Sequence, residues 1–186
     1  METIDLVDHF KDGEGNSYII TQKPKLNLAQ FLAEKKEHQS GIGVLSVATW
    51  IQMIAKILKK LAAMRIAHRN ICMENILVKN GHSRKNDNRA SQEKQKKLRF
   101  RIAGFDLAMC FDRDAYQVRQ SFNIPGVQFA PEIMAGMEHD YAVDVWGLGQ
   151  VALKLLAFVS CYQGHPLRLL VARMTKEVPD ERPSID

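Results

Sequence analysis

At 186 residues, with 46% apolar and 25% charged side chains, the chain can bury one hydrophobic core and has the composition of an ordinary globular domain, not of a disordered or collagenous protein. Three scattered cysteines, Cys72, Cys110 and Cys161, argue against a disulfide framework, and the acidic opening Met1-Glu2-Thr3-Ile4-Asp5 lacks the features of a signal peptide. The most apolar run, Val145 to Ser160, is interrupted by Gln150 and Lys154, so no bilayer-spanning helix is expected and the expected location is intracellular, in cytoplasm or nucleus.

In chain order, Thr3 to Phe10 and Ser17 to Thr21 predict two strands joined by the turn Gly13-Glu14-Gly15-Asn16. Leu28 to Lys36 predicts a short helix. Leu45 to Met64 predicts a long one, because Val47, Ile51, Ile54, Leu58 and Leu61 recur at spacings of three and four. Trp50 and Met53 on that helix are assigned to packing. Ile76 to Val78 and Leu98 to Ile102 predict a strand pair. Val143 to Ala157 is apolar on most faces, as a helix at the centre of a domain is, and Pro166 to Lys176 opens with a proline suited to a first helical turn.

Charge is concentrated in one place. Between Lys79 and Arg101, nine Lys or Arg residues stand against Asp87 and Glu93, giving +7 in a chain of net charge +5. Residues 79–97 read as a polar insertion loop. The plain interpretation is a solvated insertion; the sharper one is a docking site at 79–101 for an acidic partner or nucleic acid. No aromatic residue before Phe100 interleaves the charges to stack on bases.

Five motifs follow one another: His68-Arg69-Asn70 with Glu74-Asn75, Gly104-Phe105-Asp106, Ala130-Pro131-Glu132, Asp144-Val145-Trp146-Gly147-Leu148-Gly149, and Glu181-Arg182-Pro183-Ser184. In this order they resemble the catalytic loop, metal-binding segment, activation-segment end, central helix and anchoring arginine of the protein kinase superfamily, with Glu74-Asn75 leaning to its serine/threonine branch. The resemblance implies an α+β, mainly α-helical fold: a kinase-like C-terminal lobe with a residual two-stranded piece of the N-terminal lobe. The expected division is residual strands at 1–22, a hinge at 23–26 and the C-terminal lobe at 27–186. The phosphate-covering glycine loop, the strand lysine and the helix glutamate of the family are expected to be missing from this polypeptide, a truncated domain.

Within the resemblance, the chemistry is degenerate. The family's proton-accepting Asp matches Asn70, an amide without useful basicity. Cys72 replaces the catalytic-loop lysine, and Gly104 stands where the magnesium-binding Asp belongs, with Asp106 at the family's glycine. Asn75 matches the second metal ligand. Residues two apart in an extended segment point the same way, so Asp106 and Asn75 are the remaining candidates for ATP and magnesium, although a neutral amide is a poor magnesium ligand. No cofactor is expected.

The remaining matches are structural. His68 and Phe105 would stack, Glu132 and Arg182 would form a buried ion pair, and Asp144 would accept hydrogen bonds from the catalytic-loop backbone. Arg69 would pair locally or hold a phosphate on Tyr116 or Ser121. The expected function is that of a catalytically inactive kinase-like protein, a pseudokinase acting as a binding, scaffold or regulatory module. The alternative is a weakly active serine/threonine kinase using Asp106 and Asn75. Uncovered Ile4, Leu6, Phe10 and Ile19 on a two-stranded sheet, together with the vacated cleft, imply a protein partner, either another kinase or a second copy; no membrane contact is expected.

Overall fold

The computed structural model describes residues 6–22, 25–37, 41–80, 98–111, 118–119, 124–159 and 164–185. Strand β1 (Leu6–Lys11) pairs antiparallel with β2 (Ser17–Thr21), with Phe10 opposite Tyr18 and a register shift between Leu6 and Asp8. The turn between them is organised by Asp12. Its carboxylate accepts the backbone N–H groups of Glu14 and Asn16, the Asn16 amide and the Tyr18 hydroxyl, each at 2.9 Å. These donors, the Asn16 side chain foremost, hold the Asp12 carboxyl down at about 2. The hairpin's described apolar side chains are open: Leu6 is 60% and Ile19 74% exposed, and the rings of Phe10 and Tyr18 stack on each other 5.0 Å apart. Ile4 lies outside the described residues.

The chain then enters the main body. Strand β3 (Leu26–Asn27) leads directly into helix α1 (Leu28–Glu37). Asn27 and Gln30 exchange side-chain to backbone hydrogen bonds at 3.0 and 2.9 Å, a reciprocal cap that satisfies two donors at the helix start. Leu26, the last residue of the expected hinge at 23–26, pairs with Val78. Two residues carry too little periodicity to show a strand whose partner is far along the chain.

Helix α2 (Val44–Ala63) buries Val47, Ile51, Ile54, Ile57, Leu58 and Leu61, the apolar stripe of its sequence. Trp50 is held edge-on between Phe31 and Phe100, at centroid distances of 5.8 and 5.9 Å. Beyond α2 come the short strand β4 (Ile66–Ala67), then β5 (Ile76–Asn80) and β6 (Leu98–Ile102). Strands β3, β5 and β6 form a sheet in that order, with Ile76, Val78, Phe100 and Ile102 turned into the core. Lys79 and Asn80 complete β5, so the polar insertion begins later than position 79; residues 81–97 lie outside the described ones.

Strand β7 (Met109–Cys110) pairs with β4, and β8 (Val118–Arg119) pairs with β9 (Glu138–His139) on either side of helix α3 (Pro131–Met134). Helix α4 (Ala142–Leu156) runs through the centre and is buried along nearly all of its length. It packs between α2 and α5 (Leu167–Met174). Gly149 permits that approach: a Cβ there would lie 2.7 Å from Thr175 Cγ2 and 2.9 Å from Met174 Cβ. A second, smaller cluster joins Phe129, Ala130, Ile133, Val143 and Trp146. Among the described residues no helix is long and apolar enough to cross a membrane.

Candidate functional site

The loop after β4 carries His68, Arg69 and Asn70, and the first turn of α4 holds it. Buried Asp144 accepts the backbone N–H groups of both His68 and Arg69 at 2.7 Å. Those bonds support an uncommon backbone state, since Arg69 has φ +64°, in the left-handed region. Burial pushes the Asp144 carboxyl up to about 6, against the pull of the two N–H groups and the Arg69 charge. Arg69 donates through Nε to the Leu107 carbonyl at 2.6 Å.

His68 is fully buried and its proton can be placed by elimination. Nε2 lies 3.0 Å from the Ala103 carbonyl, an acceptor only, so Nε2 donates; Nδ1 then accepts the Asn70 N–H at 3.3 Å. The ring is neutral in this arrangement, and burial lowers its pKa to about 4. Its face meets Phe105 edge-on, 4.6 Å between centroids. His68 and Phe105, the two ring residues of the motifs, are thus in contact, and the Ala103 and Leu107 carbonyls tie the same two loops together.

The reacting positions are different. Asn75 donates through Nδ2 to the Asn70 carbonyl at 2.9 Å, which braces the loop and leaves the carboxamide oxygen as the atom a cation would use. Gly104 has φ +77°, and a Cβ built there would overlap the Asn75 carboxamide, coming within 2.7 Å of Nδ2. An L-residue at 104 would meet both left-handed strain and a steric conflict. Cys72 is half-buried, and burial raises its thiol pKa, the opposite of an activated nucleophile.

Asp106 corrects the extended-segment premise. Phe105–Leu107 is a 3₁₀ turn, so the period-two rule does not align position 106 with position 104, and Asp106 is exposed. The sequence does not reveal this because the turn depends on the left-handed Gly104 before it. Magnesium prefers several oxygen ligands, carboxylates foremost. The donors here are the Asn75 carboxamide oxygen and one exposed carboxylate, Asp106, and among the described residues no group of three or more His, Cys, Asp or Glu is placed to hold a metal. Both are oxygen donors, and a magnesium ion held by them would draw its remaining ligands from phosphate oxygens and water.

Behind the site, Glu132 on α3 meets Arg182. Arg182 Nη1 donates to Glu132 Oε1 at 2.6 Å and Nη2 to Oε2 at 2.8 Å, a bidentate pair with both side chains buried. The other three guanidinium hydrogens reach the carbonyls of Lys176, Ala142 and Glu177 at 2.8, 3.0 and 3.0 Å. All five donors are satisfied. Those carbonyls, like Ala103 and Leu107, carry no side-chain signal that a reading of the sequence could find. Tyr116 and Ser121 lie outside the described residues.

Comparison with known proteins bears on the resemblance that these motifs carry. The family described as protein tyrosine and serine/threonine kinase matches residues 4–184. Receptor tyrosine-protein kinase erbB-2 of Mus musculus is 26% identical over 147 residues, covering 78% of this chain and 10% of that protein. The erbB-2 proteins of Rattus norvegicus and Mesocricetus auratus align with the same identity and coverage. The chain spans about a tenth of the length of these curated relatives, and a family covering both kinase classes leaves the lean of Glu74-Asn75 undecided. With the match running through all five motifs, this chain belongs to the protein tyrosine and serine/threonine kinase family.

Proposed function

We propose that this chain is a catalytically inactive member of its family, a pseudokinase that works as a binding, scaffold or regulatory module. The observation that carries the reading is Gly104. The position that supplies a metal-binding carboxylate in the family holds a left-handed glycine pressed against Asn75, and Asn70 stands where a proton acceptor is needed. Loss of a general base costs about 10²–10⁴ in rate, and loss of a metal's charge stabilisation removes several kcal/mol more, each ~1.4 kcal/mol being tenfold. A typical kinase turnover of about 1–100 s⁻¹ falls to a negligible rate under both losses. The solvent-facing apolar side chains of the β1–β2 hairpin support a role exercised through contact with another protein.

The test is a thermal-shift titration with ATP, with and without magnesium, run beside a phosphoryl-transfer assay on a peptide. The expected result is no magnesium-dependent rise in Tm and no transfer. Nucleotide at 100 times its Kd would stabilise a competent site by about 2.7 kcal/mol, a shift too large to miss. A magnesium-dependent rise would overturn the reading in favour of a weakly active kinase using Asp106 and Asn75.

A further inference from the structure

We propose that the outer face of the β3–β5–β6 sheet docks an acidic peptide segment of a protein partner; this rests on the binding-module reading and names the chemistry of one partner. Strand alternation turns Val78 and Phe100 into the core. Lys79 and Arg99 therefore point to the opposite side, where both are exposed, and the ladder sets them directly across from each other. Lys25 immediately precedes Leu26, the partner of Val78, and brings a third exposed cation to the same rank. With neighbouring strands about 4.8 Å apart, Lys79 and Arg99 stand side by side and Lys25 lies at the adjoining strand end.

This arrangement works against the fold. Like charges directly opposite in a ladder are destabilising, and no ion pair joins Lys25, Lys79 or Arg99 to another described residue. Leu77, two residues before Lys79 on the same face, is 8% exposed, so the open part of this face is the end that carries Lys79 and Arg99, and the rank of cations there is explained by something that lies on it. An extended acidic peptide fits: its carboxylates, on alternate side chains about 6.6–6.8 Å apart, can bridge the rank of cations. Single-stranded nucleic acid fits less well, because the one aromatic ring of these strands, Phe100, is buried on the other face and bases have no platform to stack on.

The experiment measures fluorescence anisotropy of a short labelled oligoglutamate peptide titrated with the full chain. The double variant Lys79→Glu with Arg99→Glu is compared with Lys56→Glu with Arg168→Glu, which changes net charge equally at exposed helix positions elsewhere. Salt-sensitive binding is expected, weakened about tenfold by the sheet variant, the effect of reversing two exposed charge contacts, and less than about twofold by the helix variant. Equal weakening in both, or no binding at all, overturns the docking site while leaving the magnesium–ATP result, and with it the pseudokinase reading, untouched. Tighter binding of a single-stranded oligonucleotide, lost in the same sheet variant, overturns the choice of a peptide. Folding is monitored with Lys79→Glu alone, which places a carboxylate between Lys25 and Arg99: Tm is expected to rise by roughly 1–2 °C while peptide binding falls. A lower Tm with unchanged binding contradicts the mutual repulsion on which the site is argued.

Discussion

Around Arg182, Asp144 and His68 the buried polar groups have partners, whereas Asn70, Cys72 and Gly104 bring no charge to the loops they occupy. A buried polar network stabilises only while it is complete, because one missing member leaves another desolvated and unpaired. A reacting side chain at a loop surface carries no such obligation. The supporting half of the site and its chemistry are therefore physically separable: Asn70 still lends its backbone carbonyl to Asn75, and the loop keeps its shape without the proton acceptor.

Breaking the supporting half is expected to have the largest effect. Arg182→Ala leaves Glu132 charged and buried, at a cost of about 3–5 kcal/mol, which lowers Tm by roughly 6–20 °C for a chain of this size; calorimetry reads it directly. A loss under about 1 kcal/mol would mean that the pair is solvated and the contrast with the reacting half is overdrawn. Gly104→Asp comes next. Restoring the family's residue is expected to destabilise by about 1–3 kcal/mol through left-handed strain and the Asn75 overlap, measured by urea unfolding.

A smaller effect separates the two halves by pH. Because burial lowers the His68 pKa to about 4, from an ordinary value of about 6.5, the unfolded chain binds this proton first. His68 thus contributes stability that is complete above about 6.5 and lost as pH falls toward about 4, at up to ~1.4 kcal/mol per pH unit. The Asp144 carboxyl, raised to about 6, has the opposite sign and gains stability on acidification below that value. His68→Gln is accordingly expected to cost less, relative to the wild type, as pH is lowered through the 6.5 to 4 window. A pH-independent difference would show that the ring is solvated.

The smallest global effect is expected from Asp12→Ala. It removes the acceptor of four hydrogen bonds in the hairpin turn, yet the hairpin buries little. Amide exchange should accelerate across Ser17–Thr21 while global stability changes by no more than about 1 kcal/mol.

The helices were legible because their apolar residues recur with the helical period over many turns: the observed ends of α1, α2, α4 and α5 fall within two residues of those expected. Helix α3 and the β8–β9 pair were not, since each is too short to have a period and exists because its neighbours hold it. The same limit hid β3 and the Asn27–Gln30 cap. In the site, the motifs named the residues that meet, His68 with Phe105, Glu132 with Arg182 and Asp144 with the loop backbone. They could not show that Asp106 sits on a 3₁₀ turn, because a backbone sign change at Gly104 leaves no mark on composition. The cation rank of the sheet was visible only as a charged segment, since register alone brings Lys79 opposite Arg99.

The chain has two tryptophans, and the packing assigns one to each apolar cluster. Trp50 reports on the layer formed by α1, α2 and β6, through Phe31 and Phe100, while Trp146 sits with Phe129 and Ile133 beside the segment that carries Glu132. The protein thus contains two native optical probes in separate compartments. With either indole replaced by phenylalanine, the emission of the other times the loosening of its own layer, so the order in which the layers part under denaturant becomes readable without attaching a dye.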